Sequence, residues 1–466
     1  MAVDYDLVVI GNTPAGIHAA VSAARLKARV ALVAQNTRPD STIVRRAFAE
    51  IGEISQRLDR ANQLSFYASE MVSEAPQLTE AKRWADAIAS SLQELESPAV
   101  LASLGIEFVA SVGEFCRKPF SGFVVNGRVL RSRTFLIATD HIPLIPNIEG
   151  LQTTGYLTSE TIGQIVPSKL VIIGDDEIGI ELAHTFTQLG SHVTLILSRG
   201  MLETADREAA FLIQAQLEAE GIRVLTHTHV TQVRKIQSKK WVQAGDEAIE
   251  TDEILLATGS QPNLESLNLE AMGVSFPVRV NTKLQTLNHQ IYVCGSRIHS
   301  IAQQEANVAL KNALFFPLFK IDDRQIPHII FTNPQLAWVG LTESQAIRAY
   351  RKDVVVVRQF FKTLAKAHIQ HKTTGVCKVI TRRNGEILGA HIVSSDASEL
   401  ISTIALAINQ KLKIQIFREL AVPSPTFSEI LTRVAIEWDS QRLKHNTRLQ
   451  DFLEDFFRWQ REQSRY

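Results

Sequence analysis

Two stretches of this chain each join an apolar strand to a glycine-bounded turn and the start of a helix. In the first, Asp6-Leu7-Val8-Val9-Ile10 runs into Gly11-Asn12-Thr13-Pro14-Ala15-Gly16. In the second, about 160 residues later, Leu170-Val171-Ile172-Ile173 runs into Gly174-Asp175-Asp176-Glu177-Ile178-Gly179. In such a unit the first glycine makes the tight turn, the last lets the helix pack on the strand, and the helix N-terminus faces a phosphate. Two units in one chain imply two βαβ domains and two sites for nucleotide diphosphates.

Composition narrows the class. The 466 residues suffice for roughly two to four domains with their own cores. Formal net charge is zero, which points away from nucleic acid and from acidic lipid. Cys116, Cys294 and Cys377 lie too far apart for a local zinc cluster, and each reads as a small buried hydrophobe in a reducing compartment. No basic-then-apolar leader precedes the first strand, and no apolar run approaches the ~18–20 residues of a membrane helix. The expectation is a soluble, cytoplasmic protein.

Along the chain, the first unit continues through a helix at Ile17–Leu26 and the strand Ala28–Ala34. Helical patterns follow from about Ser41 to Asn62 and from about Leu78 to Leu104, then strands at Glu107–Phe115, Gly122–Asn126 and Val129–Thr139. The second unit holds the helix Ile178–Leu189 and the strand Val193–Leu197, and closes at Asp252–Asn263. A buried strand near Ile291 and a helix at Ala302–Leu318 come next. From about Pro327 the pattern changes to strands mixed with a helix at Ala397–Ile408, an α+β texture.

These landmarks in this order resemble the class I pyridine nucleotide–disulfide oxidoreductases, which include dihydrolipoamide dehydrogenase, glutathione reductase and mercuric reductase. The resemblance also rests on Ile254-Leu-Leu-Ala-Thr-Gly259, Ile291–Gly295, Ile330–Gly340, Leu388–Val393 and Pro425-Thr-Phe-Ser-Glu429, and covers residues 4–435. It implies an α/β fold with two Rossmann-like FAD/NAD(P)-binding domains and an α+β C-terminal dimerisation domain. The divisions are 1–150 for the first part of the FAD domain, 151–280 for the NAD(P)-binding-like domain and 281–326 for the segment completing the FAD domain. By the same resemblance residues 327–440 are expected to form the dimerisation domain of a homodimer, with 441–466 an amphipathic helical extension.

The resemblance also says where chemistry belongs. The family's redox disulfide needs two cysteines after the second strand; this chain reaches Pro39-Asp40-Ser41-Thr42 with none, and Thr42 takes the second cysteine's place. Threonine supplies no thiolate, so disulfide reduction by that route is excluded. Ser424 stands where the partner subunit's histidine would be, five residues before Glu429, and the segment reads as a turn capping the next helix.

FAD is expected at a weakened site made by Gly11, Thr13, Pro14, Ala15 and Gly16, with Gln35 at the ribose, Arg46 at the flavin, and Thr139, Gly295 and Ser296 completing it. Thr13 replaces a glycine, Asp140 another, and Ser296 an aspartate that would hold the ribityl chain. The second site comprises Gly174, Gly179 and Gly259, with Asp176 at the position of a glycine. A unit charge ~4 Å from a phosphate costs about 1–4 kcal/mol. The favoured expectation is a dinucleotide fold filled by its own carboxylates, with NAD(P) binding the less favoured reading; Arg199 hints faintly at NADP.

No residue is assigned a catalytic role, and no histidine stands near the acidic turn to make a metal site of it. In the tail, Leu449, Phe452, Leu453, Phe456 and Trp459 recur at helical spacing, suited to packing on the dimer or, secondarily, to docking a protein partner. The chain reads as an FAD-binding oxidoreductase passing electrons from NAD(P)H or another donor to a quinone, metal ion or carrier. The alternative is a catalytically inactive dimer used as a binding or regulatory scaffold.

Overall fold

The computed structural model describes residues 3–35, 41–63, 78–117, 121–161, 166–444 and 446–463, without the side chains of 41, 59–63, 78 and 79; Pro39 and Asp40 lie outside these. The chain divides into two compact units, Met1–Gly200 with Glu218–Asp323, and Met201–Leu217 with Arg324–Tyr466.

In the first unit, β1 (Tyr5–Ile10), α1 (Pro14–Arg25) and β2 (Val30–Val33) form a βαβ crossover. The helices α2 (Ser41–Gln63), α3 (Leu78–Glu94) and α4 (Pro98–Ser103) follow. Residues 78–104 thus form two helices, not one: Pro98 cannot continue a helix and instead starts α4 at its first position. The segment expected as one strand at Glu107–Phe115 is likewise two, β3 (Ile106–Val109) and β4 (Gly113–Cys116), in different sheets. Next come β5 (Gly122–Val125), β6 (Arg128–Leu130), β7 (Ser132–Ile137), β8 (His141–Pro143), α5 (Leu151–Thr154) and β9 (Leu157–Thr158).

The second βαβ crossover is β10 (Lys169–Ile173), α6 (Glu177–Gln188) and β11 (His192–Ile196). Helix α7 (Arg207–Ala219) belongs largely to the other unit, and the chain returns through β12 (Arg223–Leu225). The strands β13 (Val230–Ile236), β14 (Lys239–Ala244), β15 (Glu247–Thr251), β16 (Glu253–Leu256) and β17 (Ser260–Pro262) follow. The unit ends with β18 (Ile291–Val293) and α8 (His299–Leu314). Helix α8 stops short of the expected Leu318, because Pro317 pushes the residue before it out of helical geometry.

Two parallel sheets result, ordered β18-β7-β1-β2-β3 and β12-β11-β10-β16-β9. Strand β1 is apolar on both faces, which is why it reads as an unbroken run. Leu7 and Val9 pack toward α1 and α8, while Val8 and Ile10 meet Phe115 and Phe123 of the β4-β5-β6 sheet. The second sheet repeats the arrangement, with Val171 and Ile173 against Val233 and Val242 of the β13-β14-β15 sheet. Antiparallel pairing of β8 with β17 joins the two halves.

The second unit is a five-stranded antiparallel sheet, β19 (His328–Ile330), β20 (Gln335–Gly340), β23 (Ile387–Ser394), β22 (Val376–Arg382) and β21 (Val354–Phe360) in spatial order. Around it lie α9 (Glu343–Tyr350), α10 (Ala365–Ile369), α11 (Ala397–Asn409), α12 (Ile416–Glu419) and α13 (Glu429–Lys444). Trp438 of α13 is buried in its core and donates to Thr381 Oγ1 at 2.9 Å. Helix α14 (Thr447–Gln463) buries no residue; Leu449 and Leu453 are half-buried, while Phe452, Phe456, Phe457 and Trp459 are exposed. Among the described residues no helix is long and apolar enough to cross a membrane.

One buried cation in this unit is shared by three carboxylates. Lys378, with 4% of its side chain exposed, meets Asp206 at 2.7 Å, Glu343 at 2.7 Å and Glu208 at 3.2 Å. Arg358 bonds the same Glu208 and Glu343 at 2.8 and 2.9 Å. Burial opposes ionisation of Asp206 and Glu208, but the cations outweigh it and hold both carboxyls below their ordinary values. Their contribution to stability is therefore present above the ordinary carboxylate range and lost as pH falls through the lowered values. Lys378→Met leaves Asp206 buried without its cation, so the second unit is expected to lose about 3–5 kcal/mol in denaturant unfolding at neutral pH. A loss below about 1 kcal/mol would show that the cluster contributes little.

Candidate functional site

Both glycine turns are built on the same contact. Gly11 has φ +110°, and a Cβ there would stand 2.0 Å from Ala138 O; Gly174 has φ +127°, and a Cβ would stand 2.1 Å from Ala257 O. Each turn is thus pressed against the end of the next strand of its sheet. Gly16 and Gly179 leave no room for a side chain either, since a Cβ would come within 2.2 Å of Gly11 O and 2.6 Å of Ala257 Cβ, respectively.

A cleft of ≈ 640 Å³ opens beside the first turn, lined among others by Thr13, Pro14, Ala15, Thr139, Gly259 and Ser296. Thr13 caps α1: its hydroxyl donates to Ala138 O at 2.8 Å and accepts from Gly16 N at 3.3 Å. Pro14 has no N–H, so the Ala15 amide is the first-turn donor without a partner among the described residues. Thr139 Oγ1 is buried on the cleft wall and has no hydrogen-bond partner among the described residues. An orphaned hydroxyl beside a free helix-terminal amide is a fit for a phosphate oxygen.

Other expected site residues spend their polar groups on the chain itself. Gln35 spends its amide on Gly113, donating to O at 3.2 Å and accepting from N at 3.3 Å, as if it were one more strand residue. Arg46 reaches Glu181 of α6 at 3.1 Å, while its neighbour Arg45 lines the cleft and donates to Thr42 Oγ1 at 3.3 Å. Gly295 O accepts from His141 Nε2 at 2.9 Å, and Ser296 N donates to Glu305 at 2.9 Å. Glu305, one helical stretch away on α8, thus brings a carboxylate to the backbone where the resemblance places an aspartate side chain. Cys294 also lines the cleft; burial, with Glu305 adding, raises its pKa well above the ordinary thiol value, so it stays protonated.

At the second turn the acids are all occupied internally or confined. Asp176 caps α6, accepting from Ile178 N at 2.9 Å, and the same oxygen is ion-paired with Arg297. Burial opposes ionisation of Asp175, but bonds from Ser198 and Arg199 outweigh it and hold its carboxyl below the ordinary value. Glu177 has no ion pair of its own among the described residues. Burial, then Asp176 and Glu181, push its carboxyl up to about 7 against the opposing pull of Arg297. The residues that sequence reasoning missed here, Arg297, Arg45, Glu305 and His141, carry no local motif; they act through contacts made far along the chain.

In the second unit, Glu429 Oε1 accepts from Thr426 N at 2.9 Å, and Thr426 Oγ1 donates to Pro423 O at 2.7 Å. Glu429 therefore caps the start of α13.

Residues 5–313 match the model of the pyridine nucleotide-disulphide oxidoreductase family, and residues 326–435 match its dimerisation domain. The mercuric reductase of Staphylococcus aureus is 32% identical over 465 residues, spanning 94% of this chain and 83% of that enzyme. The dihydrolipoyl dehydrogenase of Bacillus subtilis (strain 168) is 34% identical over 278 residues, 57% of this chain and 60% of the enzyme. Among solved structures, the HOCl-induced flavoprotein disulfide reductase RclA from Escherichia coli has a TM-score of 0.80 at 24% identity, covering 92% of this chain and 99% of that one. LpdA from Mycobacterium tuberculosis gives 0.80 at 23% identity over the same shares. Likeness at that identity speaks for the fold alone.

The raised carboxyl of Glu177 makes a pH prediction. Its folded value of about 7 lies above the ordinary 4.5, so the native state binds the proton more tightly than the unfolded chain. The fold then loses stability as pH rises from about 4.5 through 7. Glu177→Gln is expected to raise the melting temperature at pH 8 by roughly 1–4 °C, with the gain vanishing toward pH 5. A gain that does not change with pH would contradict the raised value.

Proposed function

The chain belongs to the pyridine nucleotide-disulphide oxidoreductase family, whose members bind FAD and NAD(P), and from that premise we propose that it is an FAD-binding oxidoreductase working without a thiol relay. The observation that carries this reading is the buried, unpartnered Thr139 hydroxyl beside the Ala15 amide and the Gly11 cradle. These groups would hold the pyrophosphate, with Thr13 fixing the turn and not itself donating outward. Arg45, Asp140 and Ser296 line the same cleft and are placed to contact the remainder of the cofactor.

When bound, FAD accepts a hydride or electrons and releases them singly or in pairs, so the protein need not supply a redox group. The chain's own part is to bind, orient and shield the cofactor. Thr42 in place of a cysteine and the protonated, buried Cys294 support a path that leaves flavin directly for a quinone, metal ion or carrier. The dimerisation-domain match supports a homodimer. The spent amide of Gln35 and the capping role of Glu429 favour a second reading, a catalytically inactive dimer that keeps the fold as a scaffold.

FAD reconstitution of the purified protein separates the two. The oxidoreductase reading expects one flavin per chain, and Thr139→Val is expected to weaken FAD about 10- to 100-fold, the worth of a charge-assisted hydrogen bond. Protein that takes up no FAD from excess would leave only the scaffold.

A further inference from the structure

The two glycine turns share a backbone but not an electrostatic character. At the first, the capping residue is Thr13, neutral, with an orphaned hydroxyl and a free amide beside it. At the second, the capping residue is Asp176, and its carboxylate already sits on the helix N-terminus where a diphosphate would bind. Arg297, from the segment before α8, is ion-paired to that carboxylate, and both side chains also line the cleft beside the first turn. The side chains are 5% exposed for Asp176 and 28% for Arg297, so solvent screens the pair little.

The neighbouring subsite is also tied to the turn. In a dinucleotide fold the end of the second strand recognises the ribose about 20 residues after the turn. Here Ser198 and Arg199, at the end of β11, bond back to Asp175 of the turn itself. Glu177 adds a third carboxyl at the helix start. The phosphate position is therefore taken by the chain's own Asp176, and the strand end beside it is tied to Asp175 of the turn.

We infer that Asp176 and Arg297 form an internal latch that shuts the second dinucleotide turn to NADH and NADPH. The consequence, that the flavin's electron donor is not a nicotinamide dinucleotide, rests on the proposed FAD function. The latch itself does not, because nucleotide binding is measured with the first cleft saturated with FAD as well as without added FAD.

The test is titration calorimetry of NADH and NADPH into the full-length protein and its variants, with FAD content recorded on each sample. Wild type is expected to give no saturable heat at millimolar nucleotide. Asp176→Gly restores the glycine and is expected to tighten binding at least tenfold. Asp176→Asn keeps the cap while removing the charge and is expected to gain less; it serves if the glycine variant fails to melt cooperatively. Arg297→Gln alone leaves Asp176 uncompensated and is expected to gain nothing. Micromolar binding by wild type, weakened by Arg297→Gln, would make Arg297 a phosphate ligand and overturn the latch. Folded Asp176 variants that still bind no nucleotide would overturn it as well. Failure of samples that otherwise behave as expected to take up FAD from excess would count against the flavin function and not against the latch.

Discussion

The close approach of each glycine turn to the end of a neighbouring strand fixes most of what this protein can be. Gly11 against Ala138 and Gly174 against Ala257 leave no volume for a side chain, and both glycines adopt positive φ. That contact sets where each helix begins, aims its N-terminal amides past the strand ends, and opens the cleft that Thr139 lines. The apolar strands pack around this geometry: β1 and β10 are central in their sheets and buried on both faces.

From that shared frame the two halves diverge through single residues. Thr13 turns its hydroxyl inward to Ala138 O, so a bulkier residue than glycine is accommodated without closing the cleft. Asp176 does the reverse, bringing its own anion to the helix end and drawing Arg297 onto it. The chemistry follows the same division. Thr42 supplies no thiolate and the Cys294 thiol is neutral, so on the proposed function a cofactor in the first cleft would be the redox group.

The fold was legible because its signals are local. Glycine spacing marked both turns, unbroken apolar runs marked the central strands, and the mixed texture after Pro327 marked an α+β unit. Errors fell where a proline overrode helical periodicity, at Pro98 and Pro317, and where the chain passes between sheets in a few residues, so that the strands expected at Glu107–Phe115 and Val129–Thr139 are each two. The site was less legible, since its decisive contacts are long-range. Arg297 and Asp176 are 121 residues apart, and no motif links them. The choice of Gln35 to bond Gly113, and the division of labour between Arg45 and Arg46, depend on rotamers that sequence does not encode by pattern.

The most direct test of the whole account is anaerobic reduction of the FAD-loaded protein followed in the visible spectrum. Flavin absorption is expected to persist when NADH or NADPH is added and to bleach when dithionite follows. Bleaching by either nicotinamide nucleotide at micromolar concentration would contradict it, because electrons would then be entering through the turn that Asp176 and Arg297 close.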